Sequence, residues 1–214
     1  MKVEIWSDVV CPWCYIGKRR FETALAQFER ADEVEVVWRS FELDPDSPRT
    51  QADSSLEHLA RKYGMSVDQA RASQNHVTEL AAAEGLEYRL ADVRRGNSFD
   101  AHRLLHLARE RGKQDELKER LLRAYFSEGE PIGEPEALGR LPVEVGLDRM
   151  EVAEMLAGDR FAREVRDDEH SARLLGIRGV PFFVLDERYG IEGAQPAESI
   201  LQALRTAGSP ASVR

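Results

Sequence analysis

The first apolar pattern in the chain has period two. In KVEIWSD, Val3, Ile5 and Ser7 alternate with Glu4 and Trp6, and the segment is rich in β-formers, which predicts a strand over 2–7. From Pro12 onward the period lengthens. Tyr15, Phe21, Leu25 and Phe28 form a stripe at helical spacing, and Pro12 suits a first helical position because that residue needs no N–H bond. Gly17 falls in the second turn of this helix, where it is tolerated at a cost. Val34, Val36, Val37, Trp38 and Phe41 restore β-character over 33–41. Strand, helix-length crossover and strand imply a parallel pair with a right-handed connection.

The pattern then changes. ELDPDSPRTQADSS is polar and holds prolines, which predicts a loop, and from about 55 to 177 the periodicity is almost wholly helical. Ser66 followed by Gln69 has the form of a capping box, and Asp148 with Glu151 repeats it. Ala101, Leu104, Leu105 and Ala108 sit at helix spacing between a cap at Asn97 or Ser98 and a stop at Gly112. Further helical stretches near 117–127, 149–157 and 160–175 surround EGEPIGEPEALGRLP, which reads as Gly/Pro punctuation. Phe182 to Leu185 and Tyr189 to Ile191 flank the turn DERYG as a hairpin, and a last helix starts near Pro196. The tail AGSPASVR is expected to fray. With 46–159 set aside as an inserted helical domain, 1–45 and 160–207 read βαβ-α-ββ-α. That is an α/β chain with the element order of a thioredoxin fold.

Length and charge narrow the function. A chain of 214 residues can bury a core without a covalent staple. A net charge of −9 and the lack of a basic tract exclude nucleic acid as the expected partner. No apolar run approaches a membrane span, and MKVEIWSDVV reads as a strand rather than a signal peptide, so the expected location is cytoplasmic.

Against that background the two cysteines, Cys11 and Cys14 in CPWC, carry the chemistry. A metal site could recruit His102 and His106, at i and i+4 on a predicted helix, but the spacing to the cysteines is far longer than in a zinc finger, and no metal is expected. A redox pair requires a thiolate, a second sulfur within reach, and an open side. Cys11 stands where strand gives way to helix, and a helix N-terminus favours a thiolate. Cys11 is therefore the expected nucleophile and Cys14, one turn on, the resolving thiol. Pro12 fixes the first turn, and Trp13 offers an apolar surface beside the sulfur. Asp8 opposes the thiolate if it points inward. His102 is a candidate for the cleft between helical block and core. Asn97 and Gln195 read first as helix caps and second as cleft residues. The run Lys18–Arg19–Arg20 reads as a solvated helix face, and Trp6 and Trp38 as packing residues.

SDVVCPWCYIGKRRFE, NSFDAHRLLHLA, AYFSEGEPIGEPEAL and LGIRGVPFFVLDERYGIEGAQP together resemble the DsbA-like thioredoxin superfamily, in its FrnE-like branch, over 2–205. The resemblance implies thiol–disulfide oxidoreductase activity, with Cys11 and Cys14 as the redox pair and Pro181 as a cis proline. It implies that the Val180 backbone pairs with a bound peptide or glutathione. Thiol or disulfide substrates, protein or small, are the implied partners. The cofactor is the redox disulfide itself, with glutathione as a candidate co-substrate. Related branches imply two alternatives: a glutathione-dependent isomerase or transferase of the 2-hydroxychromene-2-carboxylate isomerase or kappa-class type, and a non-enzymatic binding or chaperone module. Retention of both cysteines argues against the isomerase. One departure stands out. Such proteins often bury an acid six residues before the first cysteine, where this chain has Ile5, and Glu4 falls on the opposite strand face. The proton acceptor for Cys14, the direction of electron flow and the oligomeric state stay open.

Overall fold

β1 (Lys2–Ser7) is the strand around which the molecule is built. It pairs in parallel with β2 (Glu35–Ser40) and antiparallel with β3 (Phe182–Leu185), which pairs antiparallel with β4 (Tyr189–Glu192), giving the order β2-β1-β3-β4. The computed structural model describes residues 1–51 and 54–209. Residues 210–214 of the expected frayed tail, and 52–53 of the expected loop, fall outside it. α1 (Pro12–Ala26) makes the crossover between β1 and β2, and the helices α2 (Ser55–Tyr63), α3 (Val67–Ala83), α4 (Phe99–Glu110), α5 (Gln114–Ser127), α6 (Pro135–Glu144) and α7 (Arg149–Ala157) form the insertion. α8 (Ala162–Leu174) leads back to β3, and α9 (Ala197–Gly208) closes the fold. This is a thioredoxin fold with a helical insertion. No described helix is long and apolar enough to cross a membrane.

The alternation in β1 divides the core. Val3 and Ile5 pack with Phe21, Phe28, Phe183 and Leu204 beneath α1 and α9, while Trp6 packs with Ala172 and Ile177 on the α8 side. Glu4, also on the α8 side, is paired with Arg39. A third cluster fills the helical insertion and takes in Val9, Tyr15 and Ile16, so α1 is shared between the two parts.

Two readings of the sequence need correction. The stretch read as Gly/Pro punctuation contains α6, because Pro135 sits at the start of the helix, where its missing N–H costs nothing, and Pro142 lies near the end. Lys18 is not solvated. It is 2% exposed, held by Glu22, Asp115 and Glu119, because α5 packs across α1 and brings the last two carboxylates over it. The capping boxes behave as their spacing requires: Ser66 pairs reciprocally with Gln69, as Ser54 does with Glu57 at the start of α2, and Asp148 accepts from the Glu151 N–H at 2.9 Å.

Candidate active site

β1 ends at Ser7, and the chain turns through Asp8, Val9 and Val10 into α1. Cys11 is the N-cap, with extended backbone (φ −93°, ψ 115°), and Pro12 is the first helical residue. The Cys14 N–H closes on the Cys11 carbonyl at 3.0 Å, so both cysteines lie on the first turn. Neither is in a disulfide. The Val180–Pro181 bond is cis, and the Cys11 thiol donates to the Val180 carbonyl at 3.5 Å. Gly17, one turn below, is what lets Pro181 approach: a Cβ there would come within 2.8 Å of Pro181 Cγ.

The insertion builds the opposite wall. A cavity of about 560 Å³ opens between it and the thioredoxin core, lined by Cys11, Trp13, Leu43, Tyr63, Val93 and Phe126 among others. Trp13 is 37% exposed beside Cys11. Cys14 has no exposed surface and does not line the cavity, so of the two sulfurs only that of Cys11 faces it. Tyr88, unremarked in the sequence, ties the wall to the site by donating from its hydroxyl to the Pro12 carbonyl at 2.6 Å. Its ring stacks on Phe126, with centroids 4.9 Å apart.

Asp8 does point inward. It has no exposed surface, accepts from the Leu43 N–H at 2.8 Å, and lies 3.3 Å from His102 Nε2. Burial pushes its carboxyl up, but the hydrogen bonds from His102 and Leu43 outweigh burial and hold it below the usual range. Its charge raises Cys11.

The electrostatics of the cysteines differ from the sequence expectation, which put the easily ionised thiol at Cys11. The hydrogen bond to Cys14, burial and the Asp8 charge all raise Cys11. Burial also opposes ionisation of Cys14, but the hydrogen bond from Cys11 and the Lys118 ammonium outweigh it. The two thiols titrate together, so the first ionisation belongs to the pair. What distinguishes Cys11 is access.

The three candidate cleft residues do not reach the cavity. His102 is fully buried, turned to Asp8 with its Nδ1 unpartnered within the described residues. His106 serves a different carboxylate, Asp168, at 3.2 Å, because the helix sets the two rings against different neighbours. Asn97 accepts from the Phe99 N–H at 2.8 Å and donates to Glu42 and the Pro45 carbonyl, clamping the loop after β2. Gln195 donates to the Glu192 carbonyl at 2.8 Å within its own turn, and Pro196 caps α9 in its place.

Beside this clamp is a titrating carboxyl. Glu42 is raised to about 7, because burial and the neighbouring Glu169 outweigh its pairing with Arg166. A carboxyl raised from 4.5 to about 7 on folding favours the folded state below pH 4.5 and loses that contribution as pH rises through 7. Between those limits Glu42→Gln is expected to flatten the stability–pH curve by on the order of 1 kcal/mol, discounted for the partly exposed Arg166. Urea unfolding at pH 4.5 and 7.5 measures the difference, and an unchanged slope in the variant removes Glu42 as its source.

A family model described as a DSBA-like thioredoxin domain matches residues 2–205. The crystal structure of a probable DsbA oxidoreductase from Streptomyces coelicolor superposes with a TM-score of 0.94 at 50% identity, covering 100% of this chain and 93% of that one. The cytosolic disulfide reductase DsbM from Pseudomonas aeruginosa, solved with GSH, gives 0.67 at 18% identity over 96% of this chain and 98% of that one. A 2-hydroxychromene-2-carboxylate isomerase gives 0.67 at 15% over 97% and 94%. These two likenesses show the fold alone. The uncharacterized protein YwbO of Bacillus subtilis (strain 168) is 29% identical over 198 residues, 86% of each chain.

Proposed function

The chain belongs to the DSBA-like thioredoxin family, and from that premise we propose that it exchanges disulfides through a Cys11/Cys14 dithiol–disulfide couple, as a member of the FrnE-like branch. The observation that carries the reading is the placement of the two sulfurs. Cys11 opens onto the cavity against the Val180 carbonyl, and Cys14 lies behind it without access to solvent. The 50% identity to a probable DsbA oxidoreductase supports it.

In the reducing direction the Cys11 thiolate attacks a substrate disulfide, one substrate sulfur leaves as a thiolate, and a mixed disulfide forms. Cys14 then attacks the Cys11 sulfur, the second substrate thiolate leaves, and the cysteine pair has given up two electrons. The oxidising direction is the reverse. Potentials among proteins of related fold run from about −270 to −120 mV, so the poise decides the direction. Glutathione is the natural probe as co-substrate.

Counting free thiols across a series of reduced and oxidised glutathione buffers tests the couple. The expected result is one transition in which both thiols disappear together with a two-electron slope. Two free thiols throughout the series would contradict the reading. Glutathione binding with no change in thiol count would favour the isomerase instead.

A further inference from the structure

Lys118 is a buried cation to which the exchange steps above give no task. It lies on α5 with no exposed surface, and its Nζ donates to the Ser7 carbonyl at 3.4 Å and stands 5.3 Å from the Trp38 ring centroid. Among the described residues it has no ion-pair partner, whereas Lys18, almost equally buried, has three carboxylates. An ammonium buried on a backbone carbonyl and a ring face is costly, and such groups are kept where their proton is used. Ser7, whose carbonyl receives its hydrogen bond, also carries a buried hydroxyl with no hydrogen-bond partner of ordinary geometry among the described residues, and that hydroxyl stands close enough to Cys14 to favour its thiolate. The strand position where related proteins would bury an acid holds Ile5, packed in the apolar core.

We propose that Lys118 is the base that receives the proton Cys14 must lose before it resolves a mixed disulfide. The inference rests on the reading of Cys11 and Cys14 as a redox pair. With a substrate sulfur bound to Cys11, the neutral amine takes the proton of the Cys14 thiol. The Cys14 sulfur attacks the Cys11 sulfur, the Cys11–Cys14 bond forms, and the bond from Cys11 to the substrate breaks. The substrate leaves with the electron pair as a thiolate and is protonated from solvent, to which Lys118 returns its own proton. In the oxidising direction the ammonium protonates Cys14 as it becomes the leaving group.

The groups facing Lys118 agree with this role. β1 and the following turn bring Ser7 and Asp8, α1 brings Cys11, Cys14 and Lys18, β2 brings the Trp38 ring, and α4 acts through the bond from His102 to Asp8. Burial pulls the ammonium down to about 8, against the cysteines and Asp8, which hold it up. Lys18 is offset by its own carboxylates. The neutral amine therefore becomes abundant as pH rises through about 8.

Ellman's reagent separates the steps, because attack by Cys11 releases one coloured thiolate and resolution by Cys14 releases the second. In the wild type the second phase is expected to accelerate as pH rises through about 8. In Lys118→Met it is expected to slow by about 10²-fold and lose that inflection, while the first phase changes far less. Equal second phases in both proteins overturn the inference while leaving the redox pair intact. Absence of any second phase in the wild type overturns the redox reading instead. A measurement on the wild type alone guards against a variant that fails to fold: the carbon resonance of the Lys118 Cε is expected to titrate near 8 in the reduced protein and lower once the disulfide has removed the sulfur charges. The same titration point in both states counts against Lys118.

Discussion

Replacing Cys11 by Ser is expected to abolish disulfide exchange, with a fall of at least about 10³-fold in insulin reduction. The hydroxyl cannot ionise near neutral pH and cannot form the mixed disulfide on which both directions depend. The fold should survive. The side chain is small, 4% exposed, and a Ser Oγ can make the same hydrogen bond to the Val180 carbonyl, so the cost is expected to stay below about 1 kcal/mol. Cys14→Ser gives the informative contrast. It keeps the accessible sulfur and removes the one proposed to resolve, so on reaction with a substrate disulfide, one half of which leaves as a thiolate, it should accumulate a mixed disulfide on Cys11, visible by mass spectrometry and released by dithiothreitol. The order of events thus separates the two cysteines more sharply than their acidities do. If Cys11→Ser retains wild-type activity, or if the adduct in Cys14→Ser forms elsewhere than on Cys11, the assignment of nucleophile and resolving thiol is wrong. A binding or chaperone module would tolerate both substitutions.

That assignment came from local sequence, and the structure shows where local sequence stops being enough. The strand-to-helix junction is written in a few contiguous residues. Alternation ends at Ser7, Cys11 caps, and Pro12 starts the helix. The hairpin after Pro181 is equally local. What could not be read were contacts made across long stretches of chain. Lys18 looked solvated because its partners Asp115 and Glu119 lie on α5. His102 looked like a cleft residue because nothing in its own helix shows that Asp8 receives it. Lys118 gives no signal at all, since a lysine on an amphipathic helix is ordinarily on the wet face. α6 was hidden for another reason: Gly139 and Pro142 outweigh the helical preference of their neighbours until packing decides. The fold was therefore legible from periodicity and order, while the electrostatics of the site depend on which helices of the insertion land against α1.

Gly17→Ala joins these two levels, and its expected result runs against helix propensity. Alanine in the second turn of α1 should favour the helix by about 1 kcal/mol over glycine. Gly17 is buried beneath Pro181, however, and a Cβ would lie 2.8 Å from Pro181 Cγ and 3.6 Å from the Ala194 side chain. A proline ring has no flexible end to swing away, so either α1 or the loop before β3 must shift. Overpacking of this kind costs about 1–3 kcal/mol, which offsets or exceeds the propensity gain. The shift also falls where geometry matters most, since the same loop carries the Val180 carbonyl that receives the Cys11 thiol at 3.5 Å. Gly17→Ala is thus expected to lower stability by up to about 2 kcal/mol and activity by about tenfold or more, and Gly17→Val to do more of both. Urea unfolding and insulin reduction on the same preparations decide it. A Gly17→Ala protein that is more stable and fully active would show that propensity governs this turn, and that the close approach of α1 to Pro181 is not what holds the site in register.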